Sequence, residues 1–330
     1  MGMFDFLKQM MGKSDEPKAS GDDLRSREEL WEAVDLVVKL SHPNVSAVPD
    51  YRKKLIPAVE HTLAYADELI RQVPDSIPVE VNSWDTNPFL RTAFADSVRF
   101  TDFFTNNPKL KDFFQKTDAT RCCALMTMNR TLKKSFGVEM EGDIMKRDVL
   151  QTTVDFSDHR LVARMKSEEE TRKELSLRVL VLLADHCLED ILSLKEWKKE
   201  MEDEKQILEI KLQIQDARTQ HRNSLLLGYS SSGRGEKNRE AVKVLAQLDQ
   251  KIAEVGAQFD EPEDYLEKIE NMLYHPERFL CLEPVRMFVN DMNVVMENEK
   301  KGRGDEICFV ELTSATGLQR AVVLIDCQKF

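Results

Sequence analysis

Between about Glu168 and Leu227 the chain contains neither proline nor glycine, and its residues are strong helix formers. Unbroken, these 60 residues would make a rod about 90 Å long at ~1.5 Å per residue. A folded chain of 330 residues has a radius of gyration of only about 20 Å. The helix must therefore bend, break or protrude. Few other features of the sequence restrict the fold as strongly.

Composition divides this run. Ser167 and Glu170 have capping-box spacing, and Glu168 to Glu170 place negative charge at the helix N-terminus. Leu175 to Leu194 is apolar over much of its circumference, as in a helix inside a core. Lys195 to Lys211 instead carries six acidic and five basic residues beside a narrow apolar stripe. Such mixed charge belongs in water, and i,i+4 pairs such as Lys198–Glu202 each add only a few tenths of a kcal/mol. Packing must supply the rest.

A packing partner is visible further on. Ala241, Leu245, Leu248, Ile252, Val255 and Phe259 alternate spacings of four and three, which is a coiled-coil seam. Ile207, Ile210, Ile214, Ala217 and His221 keep a matching rhythm. Gly228 to Gly235 between them cannot carry a helix but reverses a chain easily. The pattern predicts an antiparallel helical hairpin over 195–259, with its tip near Ser231 and its base near Ile191 and Phe259. The same seams also suit another subunit, or a hairpin whose tip folds back on the body.

Elsewhere, helices are expected after Ser26, where Glu29 completes a capping box, and over 51–72, 88–105, 108–116, 118–135, 262–274 and 284–299. Asn87-Pro88 and Asn107-Pro108 each set a cap before a proline suited to the first helical position. Residues 148–165 are β-prone and read as a hairpin turning at Ser157-Asp158, or as the approach to the long helix. The stretches 306–313 and 318–327 flank Ser314 to Gly317 and read as a terminal hairpin. A lone hairpin is marginal, so it must pack on helices or pair with 148–165 in a small sheet.

The expected class is mainly α (α+β): a multi-helix body with a coiled-coil arm and a small C-terminal sheet. Its parts are a flexible segment 1–25, a Phe-rich helical region 26–147, a β-prone segment with the buried helix start 148–194, the arm 195–259, and the C-terminal helices and hairpin 260–330.

No chemistry stands out. Gly228 and Gly233 have the first spacing of a phosphate loop, but Arg234 and Gly235 replace its lysine and hydroxyl. His186 lies on one helical face with Asp185, Glu189 and Asp190, and Asp155 and His159 have similar spacing if helical. Neither set matches a di-iron or zinc pattern. Cys122-Cys123 begin a predicted helix and face different ways. No catalytic, cofactor-binding or metal residue is assigned, and no cofactor is expected. The net charge of -12 argues against a general nucleic-acid surface. The six scattered cysteines, without C-x-x-C, point to reduced thiols and a cytoplasmic location.

The segment 1–11 has Phe4, Leu7 and Met11 on one side, with Lys8 as its single basic residue. It fits a docked or frayed terminus better than a peripheral membrane anchor. The function expected is a protein–protein interaction or scaffold role through the arm, or self-association there. The alternative is an enzyme or small-ligand binder, with its site among the Phe89–Phe114 helices or at the helix–sheet junction.

Overall fold

The computed structural model describes residues 26–141, 144–225, 234–256, 261–296 and 304–329. The predicted flexible segment 1–25, the hairpin tip near Ser231 and Phe259 lie outside the described residues. Within them, seven strands form one sheet, and helices cover both of its faces.

The first helices follow their local signals. α1 (Arg27–Ser41) starts at the predicted capping box: Glu29 N donates to Ser26 Oγ at 3.2 Å, and Ser26 N to Glu29 Oε2 at 2.9 Å. Leu30, Val34 and Val37 point inward, and His42-Pro43 ends the helix. α2 (Tyr51–Arg71) carries Pro57 within it. Thr62 Oγ1 donates to Leu273 O at 2.6 Å, and Tyr65 donates its hydroxyl to Leu280 O at 2.7 Å. A short strand β1 (Ile77–Val79) and helix α3 (Ser83–Thr86) occupy the stretch between Pro74 and Pro88.

Three helices then carry the phenylalanines: α4 (Pro88–Ala93), α5 (Ser97–Asn106) and α6 (Pro108–Lys116). The predicted caps form, with Asn87 Oδ1 accepting from Leu90 N and Asn107 Oδ1 from Lys109 N. Phe89, Phe94, Phe100, Phe104 and Phe113 are buried. They join one aromatic cluster with strand residues, including the Phe156–Phe309 edge contact at 5.5 Å between ring centroids.

The expected helices over 118–135 and 284–299 are strands. β2 (Arg121–Glu141) and β3 (Ile144–Met165) pair along nearly their whole length. β4 (Leu280–Val289), the short β5 (Val295–Met296), β6 (Asp305–Ser314) and β7 (Gln319–Gln328) complete the order β3-β2-β7-β6-β4-β5, with β1 added parallel to β7. The sheet is thus neither small nor C-terminal, and the region 26–147 is not purely helical. The reason is burial on both faces. Cys122, Ala124, Met126 and Met128 pack toward the phenylalanines, whereas Leu125 packs in the cluster on the other face. A doubly covered strand reads as a continuous apolar run and loses its alternation.

The terminal hairpin is present as β6 and β7. Gly317 takes the left-handed conformation (φ 77°) that its turn requires, and its N–H donates to Ser314 O at 2.9 Å. β3 is one long strand that does not turn back at Ser157-Asp158: Asp158 has φ 52° at an irregularity in the ladder. β3 does not pair with the terminal hairpin either, because β2 stands between it and β7. The sheet nevertheless unites distant parts of the chain, as expected.

Its two ends approach at a single bridge, Thr153–Val294, without closing into a barrel. Nearby, Arg130 donates two hydrogen bonds to the buried Glu311, at 3.1 and 2.8 Å.

On the opposite face lies the long helix α7 (Glu168–Leu225), continuous over 58 residues. Its first turns are tied down, with Thr171 Oγ1 donating to Cys123 O at 3.2 Å and Arg172 to Ile70 O at 2.7 Å. Leu175, Leu180, Leu183, Cys187 and Ile191 are buried against α1, α2 and the sheet. α8 (Arg234–Gly256) and α9 (Pro262–Tyr274) follow, and α9 packs in the same core as α2.

Candidate interaction surfaces

Beyond Ile191, no described residue of α7 is buried. That stretch of α7 is solvent-facing along its described residues. α8 contacts α7 there, and Lys205 Nζ lies 2.5 Å from Asp249 Oδ1. Among the described side chains of α8 the sheltered positions are Ala241, Leu245, Leu248 and Ile252, as the heptad spacing predicts, and Leu248 is buried.

The partner stripe on α7 is a correction. Met201, Lys205, Leu208 and Leu212 are the sheltered positions, whereas Ile207, Ile210 and Ile214 stand 52%, 47% and 47% exposed. The two stripes share the same alternation of threes and fours. They sit two residues apart in phase, or about 200° round a helix of 3.6 residues per turn. Sequence favours the isoleucines because the true inward stripe contains a lysine. Lys205 is tolerated there because its ammonium reaches Asp249 while its stem stays against the helix pair. Ala217 is also exposed, and the side chain of His221 lies outside the described residues.

A second exposed apolar surface was not foreseen. β2 pairs with β7 only as far as Met128, but with β3 as far as Glu141. The remainder is a two-stranded ribbon. Phe136 lies opposite Leu150, with Leu132 two pairs before it on the same face, and they are 75%, 59% and 50% exposed. Leu132, Lys134 and Phe136 share one strand face, but the lysine between the two apolar residues gives no clean strand signal, and the helix expected over 118–135 covers the first two.

No protein family, curated protein or solved structure matches this chain.

The titratable groups weighed for chemistry have structural surroundings. His159 stacks on Phe94 with ring centroids 4.4 Å apart, and its Nε2 lies 2.9 Å from Ala93 O. Burial holds its pKa below the usual imidazole range. Asp155 does not meet it on a helix but pairs with Lys133 across the ribbon. His186 Nδ1 lies 3.5 Å from Glu189, and burial followed by Glu189 raises the pKa of Asp185. Among the described residues, no group of three or more His, Cys, Asp or Glu side chains could hold a metal ion.

Burial pushes the thiols of Cys122 and Cys187 up to about 12, so neither is a ready nucleophile at neutral pH. Gly228 and Gly233 of the phosphate-loop-like spacing lie outside the described residues. Among those described, no helix is long and apolar enough to cross a membrane.

Where α7 leaves the body, three elements meet. His42, just past α1, stacks on Tyr265 of α9 at 3.8 Å, and Lys195 of α7 lies over the same ring at 4.8 Å. Lys195 Nζ is 3.3 Å from His42 Nε2. Burial, then the lysine charge, lowers the pKa of His42, so a neutral imidazole accepts from the ammonium. This cluster fastens the root of the exposed helix.

Proposed function

We propose that the protein is a non-enzymatic interaction or scaffold protein that docks a protein partner through α7 and α8. In this reading the two helices pair as an antiparallel hairpin, which the buried Leu248 and the Lys205–Asp249 ion pair support. The observation that carries this reading is the outward stripe Ile207, Ile210 and Ile214, exposed at coiled-coil spacing. A solvated helix needs no such stripe for its own folding, and exposed contiguous apolar surface marks interaction sites. The other expected location, the Phe89–Phe114 helices, uses most of its phenylalanines to fill the core.

Site-specific photo-crosslinking in cells tests the reading. A photoreactive residue at Ile210 or Ile214 should yield a discrete protein adduct, while one at the exposed Lys251 of α8 should not. Equal labelling at all three positions, or none at Ile210 and Ile214, would remove the stripe as a docking surface.

A further inference from the structure

We infer that the occupant of the outward stripe is a second copy of this chain, its α7 running antiparallel to the first about a two-fold axis near Leu212. The inference rests on the reading of the stripe as a docking surface. Ile207, Ile210, Ile214 and Ala217 follow spacings of three, four and three, a narrow seam suited to one further helix. In the antiparallel register Ile210 meets Ile214 of the second copy, and Ile207 meets Ala217, a large residue against a small one. All four seam side chains, Ile207, Ile210, Ile214 and Ala217, are exposed.

Charge selects the direction. From Lys195 to Glu209 there are six acidic and four basic residues, a balance of 4 − 6 = −2; from Ile210 to Leu225 there are three basic and one acidic, 3 − 1 = +2. Antiparallel pairing lays the negative half of one helix on the positive half of the other. Glu204 and Arg218, which flank the seam on the same side, then face each other twice across the axis. Parallel pairing would set like on like, placing Glu200 and Asp203, which continue the seam toward the body, against their own copies.

One residue opposes the antiparallel pair: Lys211 faces itself across the axis. The bodies do not interfere. The axis lies about 20 residues beyond Ile191, or about 30 Å along the helix. Two antiparallel copies therefore hold their bodies about 60 Å apart, against a radius of gyration of about 20 Å.

Sedimentation equilibrium of the full chain at micromolar concentrations should show a monomer–dimer equilibrium that Ile210→Asp with Ile214→Asp abolishes. Glu204→Lys or Arg218→Glu alone should weaken it about tenfold, and the two together should restore it. Lys211→Gln should tighten it. Direction is read with a short bis-maleimide after Cys281 and Cys308 are changed to serine. Gln213→Cys should cross-link to itself. Ile207→Cys should not, but should cross-link when mixed with Ala217→Cys. A chain monomeric at all concentrations, or self-linking through position 207 and not 213, overturns the inference. If the chain stays monomeric while Ile210 photo-crosslinks a different protein, the docking surface stands and only self-pairing falls.

Discussion

At the scale of single residues, the buried histidine shows how environment and not residue type sets behaviour. His159 is held neutral by burial among Phe94 and Phe103, with its Nε2 directed at Ala93 O. The hydrogen bond to Ala93 O, then Asp158 and Asp155, favour the charged form but are too weak to reverse that burial. Because the folded pKa is depressed, the unfolded chain binds the extra proton first as pH falls. The contribution to stability is complete above about pH 6.5, the ordinary imidazole value, and is lost progressively below it until the folded pKa is passed. His42, lowered chiefly by burial, acts in the same direction. Urea unfolding followed from pH 7 to pH 5 should show falling stability, and His159→Phe should flatten part of that slope; an unchanged slope would mean that other groups set it. Sequence marked His159 as a titratable residue near Asp155, but no local pattern could announce that Phe94, a residue from another element, would cover its ring.

At the scale of elements, caps and long helices were legible because their signals are local. Ser26, Asn87, Asn107 and Ser167 all accept the backbone hydrogen bonds that their positions imply. Strands buried on both sides were not legible. Cys122 to Met128 contains residues that favour helices, and its two inward faces belong to different clusters formed by distant segments. Val285 and Phe288 likewise suit a helical face, although they lie in β4. The α7–α8 pairing was half legible: spacing located the stripe on α8, but picked the face of α7 that α8 does not cover.

Leu248 is the one described residue of α8 that is buried. Leu248→Asp should therefore release α8, at a cost of about 3 kcal/mol for a buried leucine exchanged for a charge. Hydrogen exchange should speed up in α8 and the distal half of α7, while the core residues of α2 and β7 keep their protection. Loss of protection throughout would mean that the helix pair is part of the global folding unit.

At the scale of the molecule, β7 is central. It pairs with β1, β2 and β6, and its residues enter the cores on both faces of the sheet. A chain ending at Gly317 should lose far more than one strand: β2 and β6 would have no neighbour between them. Circular dichroism should retain helix, but the cooperative melt should vanish and dye binding to exposed apolar surface should rise. A truncated chain that still melted cooperatively would show that the helices and the β2–β3 pair stand alone.

The position of β7 also sets a schedule. Met128 leaves the ribosome about 190 residues before Gln319, a wait of roughly 10–40 s at about 5–20 residues per second. For that interval the apolar edge of β2 has only β3 beside it. The chain must be kept from pairing with its neighbours on the same message until its last strand arrives, so slower translation would prolong the period of greatest risk.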